Sequence, residues 1–61
     1  MYGMQLLLEG HWVWVAPTNG MPYQYSSEEE AYNMLCMCYP DQVIEERLGG
    51  NKTVRVFKFP E

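Results

Sequence analysis

The sequence predicts a small α+β domain of ββαββ order, a four-stranded, mostly antiparallel sheet with one helix packed on one face. Three stretches carry that prediction. The run HWVWVA, after a Glu9-Gly10 step, is β-branched and aromatic. The stretch SSEEEAYNMLCMCYP has a helix-start signal, helical spacing and a proline stop. The closing run TVRVFKF sets Val54 and Val56 alternately with Thr53, Arg55, Phe57 and Phe59. At 61 residues the chain is a single domain, 1–61.

The first hairpin joins residues 4–9 to residues 11–16, with Gly10 supplying the positive φ of a tight two-residue turn. That turn sets Leu7 opposite Trp12, Leu6 opposite Val13 and Gln5 opposite Trp14. One face then carries Met4, Leu6, Leu8, Val13 and Val15, and the other carries Leu7, Trp12 and Trp14. Both faces of the hairpin are apolar.

Residues 17–26 follow as a loop with two prolines and an Asn19-Gly20 step. Ser27 and Glu30 stand at capping-box spacing, and Glu28, Glu29 and Glu30 complement the positive end of the helix dipole. Ala31, Met34, Leu35 and Cys38 form the helix stripe, with Met37 on the far side and Pro40 ending the helix. The remainder predicts a second hairpin, strand 43–48 and strand 52–59 joined around Gly49-Gly50-Asn51.

Composition narrows the function classes. Apolar residues make up 48% of the chain and aromatic residues 15%, which is enough to fold. Below roughly 70–80 residues, however, one core rarely supplies more than about 3–5 kcal/mol, and a partner subunit is a common supplement. Eight acidic and four basic residues give a net charge of −4, the wrong sign for a nucleic-acid partner. Arg47, Lys52, Arg55 and Lys58 read as the wet side of the second hairpin. The opening MYGMQLLLEG lacks the basic start and apolar length of a secretory signal, and no stretch reaches the ~20 apolar residues of a membrane span. The expectation is a cytoplasmic protein with no membrane partner.

The reactive residues do not assemble into a site on paper. Cys36 and Cys38 are two apart on a helix, so their thiols diverge, and a zinc site needs more ligands than these and His11 supply. Cys38 is expected in the core and Cys36 as a partly covered thiol. His11 sits at a turn with no nucleophile motif beside it. Glu45 and Glu46 are neighbours on a strand and point to opposite faces. No catalytic residue, cofactor or metal is expected, and the chain reads as non-enzymatic.

One helix covers one face of a small sheet. If the valine and leucine set lies beneath it, Trp12 and Trp14 look outward and require another surface; if the tryptophans lie beneath it, they are core and the valines face outward. The expected function is self-association, as a dimer, through that face or a sheet edge. Trp12, Trp14, Leu7, Tyr23, Tyr25 and Met37 are the interface candidates, and a host protein is the alternative partner.

The pieces WVWV, SSEEEA, YP and VRVFKF, in that order, resemble a set of very short phage and bacterial proteins. In size and acidity the chain is similar to the bacteriophage T7-type RNA polymerase inhibitors. This sequence departs from them in its longer Pro-rich loop and the turn at Gly49-Gly50. The resemblance implies a phage or mobile-element origin and binding to a host protein, and it assigns no functional residue.

Overall fold

The computed structural model describes residues 1–18 and 20–60 and shows the order ββααβ. The elements are β1 (Tyr2–Leu8), β2 (His11–Trp14), α1 (Glu28–Cys38), α2 (Pro40–Arg47) and β3 (Val54–Lys58). The strands form one antiparallel sheet in the order β2-β1-β3, so the last strand pairs with the first. The domain is α+β as expected, but with three strands and two helices.

The first hairpin has the expected register, with Gln5 opposite Trp14, Leu6 opposite Val13 and Leu7 opposite Trp12. Both turn residues are left-handed, Glu9 at φ 50° and Gly10 at φ 82°, the pattern of a turn whose twist matches its strands. Beyond β2 the chain stays near β1. Tyr25 exchanges backbone hydrogen bonds with Tyr2, at 2.8 and 2.9 Å. In the loop, Asn19 of the Asn-Gly step lies outside the described residues.

Helix α1 starts at Ser27, whose hydroxyl accepts from the Glu30 amide at 3.2 Å. The reciprocal arm differs from a capping box, because the Glu30 carboxylate accepts from the Ser26 hydroxyl instead, at 2.8 Å. The buried positions of α1 are Ala31 and Leu35, one turn apart. Cys36, not Cys38, is the half-buried thiol packed against the core, and Cys38 is exposed. Tyr39, at the junction with α2, also packs inward, and the expected core place of Cys38 is corrected accordingly.

The expected strand 43–48 is instead α2. Pro40 ends α1 and occupies the first turn of α2, where its missing N–H costs nothing and its φ suits a helix. Asp41 stands in the first turn and Arg47 in the last, both favourable to the helix dipole. Gly49 and Gly50 close the helix rather than turn a hairpin. Gly49 donates to the Glu46 carbonyl at 3.0 Å and Gly50 to the Glu45 carbonyl at 2.9 Å, with Gly49 at φ 91°. This is the Schellman arrangement, which satisfies the last carbonyls of a helix.

The core lies between the sheet and the helices. Met4, Leu35, Val43 and Val54 form its buried centre, with Leu6, Val15 and Val56 packed against them. By strand alternation these sheet residues share one face, so both helices stack on the same side. The domain has two layers, and among the described residues no helix lies on the opposite face of the sheet.

Candidate functional site: the helix-free sheet face

The uncovered face is built by the register. Gly3, Gln5 and Leu7 of β1 alternate with the core residues, and the pairing adds Trp12 and Trp14 from β2 and Arg55 and Phe57 from β3. Phe59 continues the row past β3, its amide donating to the Met1 carbonyl at 2.9 Å. Trp12, Trp14 and Phe59 are half-buried and Phe57 is 44% exposed, with no helix above any of them.

These side chains cover one another. Trp14 and Phe59 come from opposite edges and stack over the middle strand, with ring centroids 4.1 Å apart and planes 9° from parallel. They meet above Gly3, where a Cβ would lie 2.7 Å from Phe59 Cε2 and 3.0 Å from Trp14 Cζ3. Glycine at this strand position makes room for the stack. Phe57 meets Trp14 edge-on at 6.2 Å.

Arg55 joins the other half of the face. Its Nε donates to Gln5 Oε1 at 2.7 Å, and its Cζ lies 4.1 Å from the Trp12 ring centroid and 4.4 Å from that of Phe57. Gln5 is 6% exposed, and this bond satisfies its buried oxygen. The expectation that the basic residues share one wet side is corrected for Arg55, which lies half-buried among aromatic rings. The signal was present in the alternation of β3, which gives Arg55 the parity of Phe57 and Phe59.

Charge is segregated between the two layers. Glu28, Glu29, Glu30, Asp41, Glu45 and Glu46, six of the eight acidic residues, stand on the helices. Arg55 is the one charged side chain among the described strand residues of the helix-free face. The face is therefore apolar with a single cation, on a protein that is otherwise acidic.

Of the other candidates, one joins the face and the rest fall elsewhere. Leu7 shares the face with Trp12 and Trp14. Tyr25 packs against the core on the helix side, so its expected place beside the tryptophans is corrected. Its phenol is pushed above the usual range by burial first, then by Cys38, Tyr23 and Glu30. Tyr23 is exposed, and its amide donates to the Val15 carbonyl at 3.2 Å. Met37 is 75% exposed on α1, in the helical layer. His11 is exposed at the hairpin turn, and among the described residues no three acidic, His or Cys side chains gather as metal ligands.

A groove of about 320 Å³ runs between α1, α2 and β3, floored by Leu35, Val43 and Val54. Two pairs of its polar groups are engaged with each other. Arg47 Nη2 donates to the Tyr32 hydroxyl at 2.7 Å, which raises the Arg47 pKa, and Lys52 lies 3.6 Å from Glu46.

Fold and face together define an open-faced, two-layer α+β domain whose uncovered side is an aromatic layer around one arginine. Compared with known protein families, curated proteins and solved structures, the chain matches none of them. No helix among the described residues is long and apolar enough to cross a membrane.

Proposed function

We propose that this chain is a small, non-catalytic interaction domain that forms a dimer through its helix-free sheet face. The observation that carries the reading is the position of both tryptophans on the side the helices leave bare. Aromatic side chains with half-buried bodies are enriched where surfaces meet, because they bury much area at little conformational cost. In a chain of 61 residues, a second apolar layer against this face also supplements a small core. Placing two copies face to face keeps the acidic helical layers on the outside, as far apart as the assembly allows.

A second reading, in which the face binds a different protein, is favoured by Arg55. A two-fold axis through the face sets Arg55 against a surface with the same cation and no strand carboxylate. A different protein can supply that carboxylate. A host protein as partner, and a phage or mobile-element origin, belong to this second reading, as does action in the cytoplasm.

The test is solution mass by light scattering over a concentration series, for the native chain and for Phe57→Lys. Phe57 is 44% exposed, so its replacement leaves the core intact. Self-association through the face predicts a dimer that Phe57→Lys returns to a folded monomer. A native chain that stays monomeric across the series would refute dimerisation and leave the second reading.

A further inference from the structure

We infer that Arg55 is a carboxylate receptor, which takes an aspartate or glutamate side chain of a partner protein on the free edge of its guanidinium. The inference rests on the reading of the helix-free face as the interaction surface, and it names what that surface selects. Three contacts hold the group before any ligand arrives. Gln5 Oε1 engages Nε, and the Trp12 and Phe57 rings lie against the guanidinium at 4.1 and 4.4 Å. The four Nη N–H groups have no protein partner among the described residues. An arginine fixed this way presents two parallel donors to a planar oxyanion, and little side-chain entropy remains to be lost on binding.

The surroundings select the kind of anion. Trp12 and Phe57 flank the cation, and Trp14 and Leu7 share its face, an apolar setting that suits a carboxylate set between apolar side chains. A nucleic-acid strand carries many phosphates and would meet one cation on a chain of net charge −4. A single carboxylate needs only one. Such a segment competes with a second copy of the chain for the same face.

The experiment follows the Arg55 Nε–H and the two indole N–H signals by NMR at a concentration where the native chain is monomeric. The probe is a capped Ala-Leu-Glu-Leu-Ala peptide, compared with its Gln counterpart and with an oligothymidylate. The inference predicts saturable shifts at Arg55 and Trp12, with binding at least about tenfold weaker for the Gln peptide. Arg55→Lys keeps the charge but not the fork, and is predicted to weaken the Glu peptide to a similar degree with the indole signals still dispersed. Equal binding of the Glu and Gln peptides, indifference to Arg55→Lys, or preference for the oligothymidylate would overturn it. If both peptides move the indole signals equally, the face still binds partners and only the role of Arg55 fails. If neither peptide nor rising protein concentration moves them, the reading of the face fails as well.

Discussion

The Arg55 guanidinium rests on the Trp12 ring, Cζ 4.1 Å from its centroid, while its Nε holds the buried oxygen of Gln5 at 2.7 Å. One side chain thus ties all three strands together across the face that has no helix. Arg55→Ala removes two ring contacts worth about 0.5–1 kcal/mol each. It also strands the Gln5 oxygen, at a further cost of about 1–3 kcal/mol. A loss of about 2–5 kcal/mol is expected in denaturant unfolding. Gln5→Leu combined with Arg55→Ala should recover part of it, since the buried oxygen is then gone as well.

Gly3 is the place where the aromatic layer meets the backbone. A Cβ there would sit 2.7 Å from Phe59 and 3.0 Å from Trp14, so Gly3→Ala must part the two stacked rings. Overpacking of this kind costs about 1–3 kcal/mol. Near-UV circular dichroism should lose the Trp14 signal, and adding Phe59→Ala should restore much of the stability by giving the new methyl room.

The end of α2 depends on Gly49 at φ 91° and on Gly50, where a Cβ would come 2.9 Å from the Glu45 carbonyl oxygen. Gly49→Ala forces an L-residue into the left-handed region at about 1–2 kcal/mol. Unfolding midpoints should fall accordingly. Had residues 43–51 formed a hairpin, helical content by far-UV circular dichroism would not respond to this change.

Tyr25 makes stability pH-dependent at the alkaline end. Its pKa is raised in the folded chain, chiefly by burial, so its neutral form is the one the fold accommodates. The contribution is complete below the unfolded phenol value of about 10 and is lost as pH rises through the higher folded value. Tyr25→Phe should flatten this alkaline decline relative to the native chain, and equal slopes for the two proteins would contradict it.

Much of the first hairpin was legible because a two-residue turn and period-2 alternation set the register without help from the rest of the chain. Helix α1 was legible from Ser27 and the acidic first turn. The segment PDQVIEERLGG was not, since Pro40 serves both to stop one helix and to start the next. Gly49-Gly50 is equally at home in a turn and in a helix C-cap. The deciding signal was the pairing of a proline at the start with glycine just past the end. Cys36 is the partly covered thiol its position implied, but Cys38 is exposed while Tyr39 packs against the core beside the start of α2, a tertiary effect the helical stripe does not encode. The tryptophan face was visible as an apolar surplus, but Arg55 at its centre needed the parity of β3 to be carried onto the same face.

The chain's two tryptophans, Trp12 and Trp14, both stand on the helix-free face, so their fluorescence reports on that face alone. The most direct test of self-association is acrylamide quenching of this fluorescence across a concentration series, with mass recorded on the same samples. The dimer predicts that quenching falls as mass doubles, and that Phe57→Lys abolishes both changes. A doubling of mass with constant quenching would place the contact on another surface, and constant mass with constant quenching would contradict self-association itself.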